Sequence, residues 1–177
     1  MLELSKPKKV KLVAAFIYAS PQTYKKATSS LIKRFGPIDL ESKALDFDFT
    51  EYYNTEMGSG LKRGFISFKK LIDPGQIVEV KLFTVKLEKR LAIVRKRRIN
   101  IDPGYVNEAK LVLSTTKDFS HRVYLGKRIF AEVTLIYKNK GFRSLPWTFP
   151  DYRTTTYKNI FTQIRNLYKE GLKSLDK

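Results

Sequence analysis

The chain has no cysteine, one histidine and one tryptophan in 177 residues, and its 17 acidic side chains face 35 basic ones. Without cysteine there is neither a disulfide framework nor a thiolate nucleophile, the composition expected of a protein in a reducing cytoplasm. A single histidine leaves one imidazole to serve as base or metal ligand. No apolar run approaches the roughly 20 residues needed to cross a bilayer, so no membrane association is expected. The start, Lys6-Pro7-Lys8-Lys9-Val10-Lys11 before Leu12 to Ala19, is basic then apolar like a signal peptide. Its apolar run is too short, however, and Pro21 follows directly where cleavage would fall. The shortage of acid gives a formal charge of +18. A heat-loving host would raise glutamate together with lysine. Acid is scarce here, so the expected partner is anionic: a nucleic acid, a nucleotide or another phosphate.

What is present is globular. An apolar fraction of 42% with 12 Phe and 10 Tyr supports a core, and a chain of this length buries roughly two thirds of its unfolded surface. One domain over 1–177 is expected, without internal repeats. Val10 to Tyr18 reads as a buried strand. Ser20-Pro21 caps a helix carrying Tyr24, Ala27, Leu31 and Ile32 on one face, which Gly36-Pro37 ends. Leu45, Phe47 and Phe49 alternate with Asp46 and Asp48, predicting a second strand that pairs with a third over Lys62 to Phe68. Asp73-Pro74-Gly75-Gln76 has the order of a capping box and opens a helix running to Val94. Arg98 to Ile101 forms a fourth strand, closed by a type II bend at Pro103-Gly104. The order βαββαβ over 1–104 is that of a ferredoxin-like core. Over 105–177 come strands at Lys110 to Thr116, His121 to Leu125 and Ile129 to Tyr137, an aromatic loop from Lys138 to Arg153, and a helix from Thr155 to Ser174. The class is α+β with a mostly antiparallel sheet, extended by further strands and a C-terminal helix.

Side chains able to do chemistry crowd between Arg97 and Tyr124. Lys117, Asp118, His121 and Arg122 fall in one turn, where the imidazole suits a base and Arg122 and Lys117 suit phosphate oxygens. Asn100 and Asp102 end a strand nearby and complete the set, with His121, Asp118 and Asp102 as catalytic candidates. A capped surface turn is the competing reading, and Asp102 before Pro-Gly has a purely local use as well. Arg63 follows Gly58-Ser59-Gly60, a loop whose amides suit phosphate. It also opens Arg63-Gly64-Phe65, similar to the start of an RNA-recognition motif, a likeness that fails at Ser67. Asp46 and Asp48 share a strand face, and with Glu132 they form a candidate set for magnesium or manganese. A solvated sheet face explains an Asp-x-Asp equally. Arg95-Lys96-Arg97-Arg98 is the densest basic run, and cations at a helix end also oppose the helix dipole.

Several strings resemble a bacterial family described as domain of unknown function 4416. They are Asp48-Phe49-Thr50 with Tyr52-Tyr53 and Glu56-Met57-Gly58, Asn100-Ile101-Asp102-Pro103-Gly104-Tyr105, Thr116-Lys117-Asp118 with His121-Arg122, Glu132-Val133-Thr134-Leu135, and Trp147-Thr148-Phe149-Pro150-Asp151-Tyr152. Phe130 and Phe149 stand where the family pattern has tyrosine. The resemblance implies a bacterial single-domain protein and no particular reaction. Three functions follow as expectations: a binder of a phosphate-bearing ligand, nucleotide or RNA, at a basic site; a metal-dependent phosphoryl or nucleotidyl transferase or hydrolase; and a structural or assembly protein with no small-molecule site.

Overall fold

The computed structural model describes residues 4–175. Its centre is β1 (Val10–Tyr18), buried at every position. Successive side chains of a strand point to opposite faces, so a strand apolar throughout must be covered on both. Leu12, Ala14, Phe16 and Tyr18 pack under α1 (Pro21–Phe35) and α3 (Ile77–Leu91). Val13 and Ala15 face the other way, against Tyr157, Phe161 and Ile164 of α4 (Thr155–Lys173). Each of the larger of these side chains, such as Leu12, Val13, Phe16, Phe161 and Ile164, contributes about 1.5–3 kcal/mol by burial. α1 starts where expected, with the Ser20 hydroxyl accepting the Thr23 amide, and its Gly36 has φ +96°.

The remaining strands are β2 (Ile38–Glu41), β3 (Leu45–Asp46), β4 (Lys62–Ile72), β5 (Ile99–Val106), β6 (Lys110–Thr115), β7 (Val123–Gly126), β8 (Ile129–Lys138) and β9 (Gly141–Ser144), with a single helical turn, α2 (Asn54–Met57), before β4. They form one sheet in the order β2-β4-β1-β5-β6-β8-β7, with β3 on β4 and β9 on β8. All pairings are antiparallel. This is the expected α+β class, and the order of the first half is compatible with a ferredoxin-like core.

Four local expectations are corrected. The strand predicted over Leu45 to Phe49 shrinks to two residues, and the main partner of β4 on that side is β2. Asp39 of β2 fastens it by taking the buried Lys11 ammonium and the Ser67 hydroxyl. The capping box at Asp73 and Gln76 forms on a 3-10 turn, but α3 stops at Leu91 rather than Val94. There Ile93 bridges Lys96 across a tight turn in which Val94 and Arg95 have φ +50° and +60°. The aromatic loop contains β9, reached through Asn139 and Lys140 at φ +52° and +59°.

The fourth correction positions the site. Pro103 and Gly104 make no bend; both lie inside β5, paired with β1. Gly104 is needed for closeness, since a Cβ there would lie 2.2 Å from the Val112 carbonyl oxygen. The Pro103 carbonyl faces β6, where it accepts the Ser114 hydroxyl at 2.7 Å. A strand residue turns its N–H and C=O to the same neighbour, and proline has no N–H to give. The β5–β6 ladder accordingly ends at Gly104↔Leu113, although β5 continues on β1 to Ile99 and β6 continues on β8 to Thr115. The two strands part, and the sheet has an opening between them.

Candidate active site at the opening of the sheet

Where β6 leaves, the Ile101 backbone loses its strand partner. Two buried side chains of α3 replace it: the Glu88 carboxylate accepts the Ile101 amide at 2.6 Å, and Lys81 Nζ donates to the Ile101 carbonyl at 3.0 Å. Unpaired buried peptide groups would each cost about 1–3 kcal/mol, which gives these charges a structural reason to be inside. Burial pushes the Glu88 carboxyl up to about 7. Lys81 reaches further, to Asp102 Oδ1 at 3.3 Å. Asn100 Nδ2 donates to the other Asp102 oxygen at 2.7 Å, and Arg97 Nη1 donates to Asn100 Oδ1 at 3.1 Å. Arg97 is in turn held by Glu56 of α2 through its backbone amide, Nε and Nη2. The Arg97 contact keeps the Glu56 carboxyl below the usual range. A continuous polar chain therefore runs from Glu56 through Arg97, Asn100 and Asp102 to Lys81.

A cavity of about 550 Å³ occupies the opening. The strand register explains its floor: Arg63 of β4 lies opposite Ile17, Ile17 opposite Asn100, and Leu113 opposite Glu132. All line it, together with Asp102, Thr115, Lys117 and Arg122. Lys81 and Glu88 close the side toward α3, and Phe49, Tyr52 and Phe149 form an exposed aromatic rim. Five basic side chains (Arg63, Lys81, Arg97, Lys117, Arg122) meet four acidic ones (Glu88, Asp102, Glu132, Asp151) on its walls.

The residues singled out by sequence divide clearly. Asn100, Asp102, Lys117, Arg122, Arg63 and Glu132 share the cavity. His121 stands behind it, with Nε2 3.1 Å from Glu132 Oε2 and its ring stacked on Trp147 at 5.3 Å. Glu132 is also the partner of Arg122, whose Nε donates to Oε2 at 2.9 Å. Arg122 Nη1 holds the Lys117 carbonyl at 3.0 Å, and Lys117 Nζ donates to the Tyr52 hydroxyl at 3.0 Å. That contact lowers the Tyr52 pKa. Asp118 is exposed and off the lining. Asp46 pairs with Lys62 on the surface and Asp48 is exposed, so the structure does not bring either to Glu132. Among the described residues no group of three or more His, Asp or Glu side chains is placed to hold a metal ion.

Arg63 has a guanidinium buried among rings, 4.7 Å from the Phe47 centroid and 5.5 Å from that of Tyr152. Its Nη2 donates to Asp151, an aspartate buried in the turn before α4. Sequence reasoning missed Lys81, Glu88 and Asp151. Lys81, Thr84 and Glu88 do recur at helical spacing with Ile77, so their place on a buried stripe was the available signal.

Fold and site together define an α+β protein with a charged, aromatic-rimmed cavity where its antiparallel sheet divides. The chain belongs to the family described as Domain of unknown function (DUF4416), whose model matches residues 8–168. No curated protein and no solved structure matched it. Among the described residues no helix is long and apolar enough to cross a membrane.

Proposed function

We propose that the protein binds a phosphate-bearing ligand of mononucleotide size in this cavity. The observation that carries the reading is the convergence of Arg63, Lys81, Arg97, Lys117 and Arg122 from four separate stretches of chain onto one half-open cavity of about 550 Å³. Ligand pockets run from about 300 to 1,000 Å³, and a few placed polar groups within apolar walls fix orientation. Asp151 and Glu132 are already engaged by Arg63 and Arg122. Among the described residues the Lys117 ammonium bonds only an uncharged phenol, that of Tyr52. The Glu88 carboxyl, pushed up to about 7 by burial, is partly protonated at neutral pH, which leaves the five basic side chains of the walls in excess over the acidic ones. Aromatic side chains stack on any base through their faces, and Phe49, Tyr52 and Phe149 offer such rings at the rim. The hydroxyls of Thr115 and Thr116 add neutral donors on the wall.

A thermal-unfolding panel tests this reading with adenosine, AMP, ATP, inorganic phosphate and short single-stranded RNA at several salt concentrations. AMP or ATP should raise the midpoint more than adenosine does, by about 2.7 kcal/mol of added stability at a hundredfold excess over Kd. RNA in place of a mononucleotide would show a log-log salt slope near −0.7 per contacted phosphate. No response to any phosphate-bearing probe overturns the proposal.

A further inference from the structure

A second aromatic surface lies on the cavity's side of the sheet but outside the cavity. Leu113 and Thr115 of β6 line the cavity, and their partners on β8 are Glu132 and Phe130. Directly opposed strand residues project to the same face. Phe130 is therefore on the cavity's side, and so is Tyr124 of β7, which pairs with Phe130 and has its ring centroid 5.2 Å away. His121 reaches Glu132 on this face, with its ring stacked on Trp147 at 5.3 Å and met edge-on by Phe119 at 5.4 Å. The rings form one ledge along β8, from Trp147 past His121 to Tyr124. Its outer members stay open to solvent: Phe119 is 65% exposed, Tyr124 59% and Trp147 38%. Trp147 is also fixed in place. Its Nε1 donates to the Val133 carbonyl at 2.8 Å, and Arg153 holds the Pro146 and Thr148 carbonyls on either side of it.

Single exposed rings need no explanation, whereas a contiguous exposed patch marks a place of interaction. The charge beside the ledge says with what. From Lys117 to Arg128 the chain carries four basic residues and one acidic one, Asp118. Arg128, whose amide lies 3.4 Å from the Tyr124 hydroxyl, and Arg153 are exposed at the ledge, and Lys117 is exposed where the ledge meets the cavity. We propose that this ledge binds a single strand of nucleic acid, with bases stacked on Phe119, Tyr124 and Trp147 and phosphates facing Arg128, Arg153 and Lys117. Each nucleotide supplies a flat π face and an anion together, which matches rings set among cations, and stacking of this kind accepts any base. Paired bases in a duplex have no free face to offer. The proposal does not rest on what fills the cavity.

The test is fluorescence anisotropy of a labelled single-stranded RNA of about ten nucleotides, a length within the usual range for such sites, with the full-length protein at several salt concentrations. Wild type should bind it with a log-log salt slope near −0.7 per contacted phosphate. DNA of the same sequence should bind comparably, because stacking and phosphate contacts do not read the sugar. Phe119→Ala and Tyr124→Ala should each weaken binding about tenfold without changing the slope, while Phe119→Tyr and Tyr124→Phe, which keep the rings, should bind like wild type. Arg128→Ala should instead reduce the slope by about 0.7. Both alanine variants remove exposed side chains, so their thermal midpoints should stay near that of wild type, and should Tyr124→Ala unfold, Phe119→Ala decides alone. The effect of AMP on the midpoint should be the same in wild type and in these variants, which separates the ledge from the cavity. No binding at low salt, alanine variants that bind RNA like wild type, a duplex bound as tightly as the single strand, or displacement of the RNA by vesicles of anionic phospholipid each overturns the proposal.

Discussion

Glu88→Gln should stabilise this protein above neutral pH and do nothing for it in mild acid. The carboxyl is buried and accepts the Ile101 amide, and burial pushes it from 4.5 up to about 7. Its folded pKa thus lies above its unfolded one, so between these values the unfolded chain gives up a proton that the folded chain keeps. Stability falls as pH rises through that window, at about 1.4 kcal/mol per unit, and the loss is complete above the folded pKa. Across the window the sum is on the order of 3 kcal/mol. Glutamine retains a carbonyl for the Ile101 amide and cannot ionise. Urea unfolding at several pH values from about 5 to 8 should show near-equal stability at the acid end. The variant should gain on the order of 1–3 kcal/mol at the other. A difference independent of pH, or a variant weaker than wild type at about pH 8, refutes the argument that burial dominates at Glu88.

Gly104→Ala places a methyl 2.2 Å from the Val112 oxygen, so β5 and β6 must separate; a loss of about 1–3 kcal/mol or more is expected in chemical denaturation. Arg122→Ala leaves the buried Glu132 carboxylate with only His121 and the Thr134 hydroxyl among the described residues, and should cost about 3 kcal/mol where an exposed arginine would cost under about 1. Adding Glu132→Gln to Arg122→Ala should recover part of that loss in a double-mutant cycle.

The two-sided burial of β1, the capped start of α1 and the apolar stripe of α4 were legible because each is a local pattern with a single period. The tight turns at Val94-Arg95 and Asn139-Lys140 were not. They hold positive φ on residues with side chains, so the usual glycine signal is missing and the strand ends around them blur. Pro103-Gly104 misled for a related reason: the pair normally marks a bend, while here proline ends a ladder and glycine admits a neighbouring backbone. At the site, Asn100, Asp102, Lys117 and Arg122 stood out by density, and Arg63 and Glu132 by isolated chemistry. Their convergence depends on strand register across five strands. Lys81 and Glu88 were hidden because a charge on an amphipathic helix reads as solvent-facing, and only the parting of β5 from β6 gives them backbone groups to satisfy.

The most direct test of a phosphate ligand in the divided sheet is a methyl NMR titration with AMP, observing Ile17, Val85 and Leu113, which line the cavity on the floor and on the α3 side. Saturable shifts concentrated on these methyls, absent with adenosine at the same concentration, are the predicted result. Shifts spread over the basic surface with these three methyls unmoved would contradict it.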